Sequence, residues 1–367
     1  MTDALSPASQ STAPPTVATA GDPTAGEVLT AHLTAQATAF LRALPTLRGE
    51  PGGRSDEQGE ELLRAVRRVG GALHTFAGAM EPGWAQDLRD ELRWLLDMLA
   101  QEPSHNRRLA RLLTTLDSLT RAAAPDRLPA QRGGEPSATG MLAGHPGAAK
   151  ARALLERQLS VARARIHTSS LQELRSARLH ALADRMTLLT GEVPLAASSS
   201  APAREVLLPQ AAAALGALAH AAEELPLLRA GAAYNGDARH RLRTGAPLPD
   251  ADAALGTDDA PWLRVRILVK RARYALEVCR PLLGGQASGT AARLESLSRV
   301  LDRHQEAADA ASTAAAAART PRITPATAYV LGVVHADQRL EVEAARYSFG
   351  CQWPELRGSD WPDWPVR

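Results

Sequence analysis

Apolar residues recur at intervals of three and four along most of the chain, the spacing of one face of an α-helix. The first such run begins near Gly26 with Val28, Leu29, Leu33, Phe40 and Leu41, and ends at the break from Arg48 to Gly53, where a proline and paired glycines interrupt it. Further helices are predicted over 56–79, over 85–121 as two pieces divided near Pro103, and over 150–190, 204–228, 262–280, 288–317 and 325–347. Between them lie stretches without periodicity. Residues 1–25 hold no Lys or Arg and little apolar bulk, the composition of a disordered tail. Residues 124–149 form a long loop rich in Pro and Gly, and Pro194 to Ala203, with its run of serines, divides the chain into two halves, 26–193 and 204–356. A second long loop, 231–261, carries a basic patch at Arg239 to Arg243 followed by four Asp up to Asp259. It reads as a solvated, self-neutralising segment, with a lid as the alternative. The three prolines after Trp353 predict a non-helical end, with 357–367 as a Trp/Pro tail whose tryptophans clamp it to the body.

The stretch WLRVRILVKRARYALEVCR, Trp262 to Arg280, departs from the usual amphipathic pattern. At 100° per residue Arg266, Lys270, Arg273 and Glu277 fall within roughly 60° of arc, one polar line about three turns long. Leu263, Ile267, Tyr274 and Val278 flank it on one side, and Val265, Val269, Ala272 and Leu276 on the other. A narrow cationic line with apolar flanks on both sides is predicted to face a groove between helices. Unpaired cations are costly to desolvate, so either an anion and water or a network of carboxylates must meet them.

A weak internal similarity accompanies this helix. At an offset of 203 residues Arg67 and Arg68 align with Lys270 and Arg271, and Ala72 and Leu73 with Ala275 and Leu276; at 202, Leu92, Leu95, Met98 and Leu99 align with Leu294, Leu297, Val300 and Leu301. Two related halves about a pseudo-twofold axis follow from it. Gly70 stands where the second copy has Arg273, and with Gly71 it is read as a point of close helix packing.

The net charge of +2 implies no general attraction to nucleic acid or membrane, so an anion site must come from local clustering. Lys occurs only at 150 and 270, and the remaining cations are Arg. Cys279 and Cys351 fit neither metal-ligand spacing nor a disulfide framework and are read as reduced core residues. No apolar run approaches 18 residues and the start of the chain lacks the pattern of an export signal, so the expectation is a cytoplasmic protein with no membrane contact. No phosphate-binding loop, nucleophile elbow, HExxH or CxxC motif is present, and no cofactor is implied. His304 with Glu306 is the nearest approach to an acid/base pair and is read as a structural histidine in a helix; the pair is carried as the enzyme alternative, an unrecognised phosphohydrolase.

The run RxRxxxKRARYALE at 264–277, followed by LSRVLDRHQEA at 297–307, resembles the second half of a CHAD domain, and ELRWL at 91–95, the segment 151–186 and AARYSFGCQWPEL at 344–356 extend the resemblance over most of the chain. The resemblance implies two pseudo-symmetric antiparallel helical bundles around a central basic groove or pore. It also implies non-catalytic binding of inorganic polyphosphate, with association to polyphosphate or polyhydroxyalkanoate granules and no sequence-specific reading of nucleic acid. The residues it nominates are Arg64, Arg67 and Arg68 in the first half and Arg264, Arg266, Lys270, Arg271 and Arg273 in the second. The chain departs from the family pattern at Glu60 and Leu263, where histidines open the signature helices, at Leu63 and Gly70, at Gln210 to Leu218, and at Pro103 to Asn106. These departures define an alternative, a scaffold or granule-associated module that keeps the fold with weakened polyanion binding. The oligomeric state stays open at this level.

Overall fold

The computed structural model describes residues 22–47, 56–121, 140–227 and 251–359. Within them the chain is all-helical, with only isolated bridges at Thr24 to Pro202 and Met80 to Leu195 in place of strands. The helices are α1 (Ala25–Leu47), α2 (Asp56–Thr75), α3 (Pro82–Thr120), α4 (Ala148–Glu173), α5 (Ala177–Gly191), α6 (Ala203–Glu223), α7 (Ala251–Leu283), α8 (Gly285–Ala318) and α9 (Pro325–Ser359). The expected disorder of 1–25 and the clamp formed by the last tryptophans concern residues that lie almost wholly outside the described ones, as do most of the loops at 124–149 and 231–250.

Three apolar clusters hold these helices together. The first gathers Leu29, Leu33 and Phe40 of α1, Leu62, Val66 and Leu73 of α2, Leu88 and Leu92 of α3, Leu182 and Met186 of α5, and the end of α7 at Val278 and Leu282. The second packs the middle of α7 (Val265, Val269, Leu276) against α6, α8 and the end of α9. The third joins the two sequence halves, since Leu112 and Leu116 of α3 and Leu155 of α4 meet Ala310 and Ala314 of α8 and Val330 and Val334 of α9. α6 has the length and hydropathy of a membrane span, and its apolar residues are spent on two of these clusters, Leu207 and Ala211 in the first and Leu215 and Leu218 in the second.

Two predicted breaks do not occur. α3 is continuous through Pro103, because its N-terminal part is anchored by Leu88 to Met98 in one cluster and its C-terminal part by Leu112 and Leu116 in another. The proline falls between these anchored segments, where losing one intrahelical hydrogen bond is outweighed by burial on both sides. α9 likewise runs through Pro354 to Ser359, held by Phe349, Trp353 and Leu356, so the non-helical tail starts later than expected. The start of α1 is closed by a capping box: Thr24 donates its N–H to Glu27 Oε2 (2.8 Å) and Glu27 donates its N–H to Thr24 Oγ1 (3.2 Å).

α2 crosses α7 at Gly71. A Cβ there would stand 2.9 Å from Tyr274 Cβ and 2.9 Å from its Cδ2, and Tyr274 is only 7% exposed, so the side chain has nowhere to retreat. A Cβ on Gly70 would meet nothing within 4 Å. The close approach expected of the pair therefore belongs to Gly71 alone. Gly70→Ala is expected to raise stability by about 1 kcal/mol through helix propensity, and Gly71→Ala to lower it by about 1 kcal/mol or more through overpacking. Urea midpoints measure both, and shifts of the same sign would show that the crossing is not tight.

Candidate functional site

α7 carries most of the site, and a polar network buried at its N-terminal end fixes its position. Asp259 accepts from Arg339 Nη1 (2.8 Å) and Nη2 (3.1 Å) and from Arg346 Nη2 (2.5 Å), which also donates to the Asp258 carbonyl (3.2 Å). Arg346 Nε donates to His304 Nε2 (3.2 Å), and the His304 ring stacks on Trp262 with centroids 5.6 Å apart. Residues 251–261 are thus the first turns of a helix rather than the end of a loop. Asp259 is neutralised by two arginines of α9, and Trp262 is buried beneath them. His304 is the structural histidine that its helical setting predicted: burial, then Arg346, push its pKa down to about 4. Glu306 pairs with Arg107 on α3 (3.2 Å), so the two form no acid/base couple.

Between α2, α3 and α7 lies a groove of about 450 Å³. Arg67 of α2, Arg89 and Arg93 of α3, and Arg266, Lys270 and Arg271 of α7 line it, with Asp97 the single carboxylate among the lining residues and His74 on its wall. Behind α7, Asp302 of α8 accepts from Arg266 Nε (2.6 Å) and Lys270 Nζ (2.7 Å) through one oxygen. Among the described residues no carboxylate lies within 4 Å of the cationic groups of Arg67, Arg89 or Arg271, the distance that defines an ion pair. The groove is therefore positively charged beyond what its own acids offset.

Proton affinities along the wall record that excess. Burial lowers the Lys270 pKa, and Arg266 and Arg67 lower it further against the opposing pull of Asp302. Burial together with Arg89 and Arg93 lowers that of Arg271. His74 is pushed down to about 4 by burial, then by Arg271, Arg89 and Arg93, and its Nδ1 is buried without a hydrogen-bond partner. Burial alone would raise the Asp302 pKa, but Lys270 and Arg266 outweigh it and hold the carboxyl below its usual range.

The predicted cationic line is divided by the α2 crossing. Arg266 and Lys270 face the groove, whereas Arg273 and Glu277 face a second cavity of about 430 Å³ that includes His32, Arg68, Arg280 and Glu295. There Arg68 Nε lies 2.6 Å from Glu277 Oε2, and Arg273 lies 3.6 Å from Glu277 Oε1 and 3.5 Å from Glu295 Oε1, so this cluster is largely self-neutralised. Arg264 is exposed and pairs with Glu224 (3.5 Å), and Arg64 is exposed and lines neither cavity. Of the eight nominated residues the groove collects Arg67, Arg266, Lys270 and Arg271. One apolar flank of α7 also differs from expectation: Tyr274 and Val278 are buried, but Leu263 and Ile267 are 39% and 43% exposed, Ile267 beside the groove. Arg89 and Arg93 were missed; two cations one turn apart on the helix after α2 were the available signal.

A family model described as "CHAD domain" matches residues 31–315. The chain belongs to the CHAD domain family. Its fold matches PptA from Streptomyces chartreusis at 38% identity with a TM-score of 0.71, covering 90% of this chain and 99% of that one. It also matches the CHAD domain from the plant Ricinus communis at 20% identity and a TM-score of 0.52, over 92% and 93% of the two chains, a likeness of fold alone. Comparison with curated proteins gave no match. Neither CHAD position at which a histidine was expected, Glu60 or Leu263, lines the groove; the histidine on its wall is His74. Among the described residues no three His, Cys, Asp or Glu side chains are placed to hold a metal ion.

His32, His74 and His304 share a pKa of about 4 in this fold, against roughly 6.5 in an unfolded chain. Between pH 6.5 and 4 the unfolded state binds protons that the native state does not, so stability falls as pH drops through this window and is unaffected by these groups above it. Urea unfolding at pH 7, 6 and 5 should show the decline, and His304→Gln, which keeps an acceptor for Arg346, should reduce it. A flat profile from pH 6.5 to 5 would contradict these assignments.

Proposed function

We propose that this CHAD protein binds inorganic polyphosphate without chemical turnover, in the groove between α2, α3 and α7. Family membership supports polyphosphate-related binding, and the unbalanced charge of the groove carries the location. Lys270, Arg271 and His74 all have their protonated forms disfavoured by burial and, beyond it, by neighbouring cations, an arrangement that suits an anion. Five of its six cations are guanidiniums, whose planar forks pair with phosphate oxygens two at a time. A chain of phosphates offers such oxygens at every unit, so rigid helices can engage it in any register without reading bases. The same binding would place the protein on polyphosphate granules in the cytoplasm.

One observation favours the weaker-binding, scaffold reading: Asp302 already engages both Arg266 and Lys270, so a ligand must compete with it for them. Titration with long-chain polyphosphate at physiological salt, beside single-stranded DNA, separates the two. Arg89→Glu/Arg93→Glu and Arg266→Glu/Lys270→Glu should each abolish tight binding, Lys270→Ala should weaken it by about 1–3 kcal/mol, and affinity should fall steeply with salt. Asp302→Asn should tighten binding while lowering stability. Wild-type affinity in both charge-reversal variants would remove the groove from consideration, and no binding by the wild type would leave the scaffold reading.

Burial keeps His74 neutral together with Arg271, Arg89 and Arg93, and an anion in the groove cancels the cations' share. Binding should therefore take up a proton and strengthen as pH falls from 7 to 5, which calorimetry in buffers of different ionisation enthalpy detects. His74→Gln should remove the uptake, and identical heats in all buffers would show that His74 does not face the bound polymer.

A further inference from the structure

α8 carries a second row of charge. Arg299, Asp302, Arg303 and Glu306 fall within roughly 100° of its circumference and line an open cavity of about 510 Å³. The far wall of this cavity is Gln352 of α9, hydrogen-bonded to Ser296 (3.2 Å); the neighbouring Cys351, expected in the core, is exposed. On an isolated helix the nearest acid to each arginine is the one three residues on, Asp302 for Arg299 and Glu306 for Arg303. Here other helices have taken both acids. Asp302 accepts from Arg266 Nε (2.6 Å) and Lys270 Nζ (2.7 Å) of α7, and Glu306 meets Arg107 of α3 (3.2 Å). Among the described residues no carboxylate lies within 4 Å of the Arg299 or Arg303 guanidinium. The two arginines are exposed and four residues apart, a spacing at which like charges repel. The fold leaves on α8 a cationic pair whose local partners it has withdrawn.

This pair adjoins the groove. Arg266 and Lys270 line the groove, Asp302 lines the outer cavity, and one carboxylate oxygen joins all three, so the triad is the wall between the two spaces. Its side chains are 28%, 25% and 36% exposed, and with two cations to one anion it presents no net barrier to a polyanion. We propose that polyphosphate held in the groove continues over Asp302 to Arg299 and Arg303, an outer station reached only by chains long enough to span both. The inference rests on the groove reading above and adds selectivity for chain length to it. Once one stretch of a chain fills the groove, its next phosphates meet the outer pair at high effective concentration. Two further guanidiniums then strengthen the hold on a long chain and do nothing for a short one. Extension the other way, past the α2 crossing, meets Arg68 and Arg273, which Glu277 already engages, whereas Arg299 and Arg303 have no carboxylate to give up.

Titration of the full chain with long-chain polyphosphate and with tripolyphosphate, each at several salt concentrations, tests this beside Arg299→Gln/Arg303→Gln. A urea midpoint at or above the wild-type value shows that the variant is folded. It is expected to bind the long chain about tenfold more weakly, with a salt slope smaller by about 1.4 at roughly 0.7 per phosphate contact, and to bind tripolyphosphate as the wild type does. Wild-type affinity and slope for the long chain in the variant would overturn the outer station and leave the groove standing. An equal loss for both polymers would also overturn it, because the pair would then act on the groove itself. A wild type that binds neither polymer would remove the groove reading and this inference together.

Discussion

Like charges held side by side in a partly buried groove repel, and the fold must supply enough opposing charge to keep them there without cancelling them. Asp302 performs this on α7. One of its oxygens meets both Arg266 and Lys270, and the two cations hold its proton affinity below the usual range despite its burial. A second carboxylate at this point would neutralise the wall, and none at all would leave two desolvated cations facing Arg67 and each other. The remaining excess is shared by Arg67, Arg89 and Arg271, which extend from three different helices and so approach one another without being adjacent in sequence. What the fold positions is therefore a controlled imbalance, and beyond the effect of burial it lowers the proton affinity of His74.

That imbalance is possible only because α7 cannot move. Its first turns are tied to α9 through Asp259, its middle is buried against α6 and α8, and its last turns enter the cluster built from α1, α2, α3, α5 and α6. The α2 crossing at Gly71 brings the Arg67 helix close enough to share a wall, and the same crossing separates the groove from the Arg68, Arg273 and Glu277 cluster. Two charge environments of opposite design thus lie on neighbouring turns of one helix. On one side the acids are too few for the cations; on the other Glu277 and Glu295 engage both Arg68 and Arg273, and a polyanion gains little by competing for them.

The helical architecture and the groove-facing direction of Arg266 and Lys270 were legible because both depend on local periodicity, which any sequence displays directly. Partners across the fold were not. Asp302 lies 32 residues from Lys270 and Arg346 lies 87 from Asp259, so no spacing rule connects them. The apparent loop at 251–261 misled for that reason: it is the start of a helix, and Asp259 is held from α9. Pro103 and Pro354 misled in the opposite way. A proline is a local signal for a helix end, and here apolar anchors on both sides of it override that preference. The cationic line was read as continuous because the sequence of α7 does not show where α2 crosses it. Arg68 proves to be a neighbour of Glu277, and Arg273, read on the line, leaves the groove.

The placement of charge also bears on what kind of ligand can be held. A small anion would be satisfied by two or three converging donors, but the groove spreads six cations over three helices, with one carboxylate among its lining residues and no cluster of acids to receive a countering metal. Such a spread engages separated charges better than a single one, which favours a polymer over a monomeric phosphate. Few aromatic side chains stand by to stack bases, Tyr274 being the one aromatic ring other than His74 in the lining, and Tyr274 is buried under the α2 crossing. Affinity must then come from charge and guanidinium geometry.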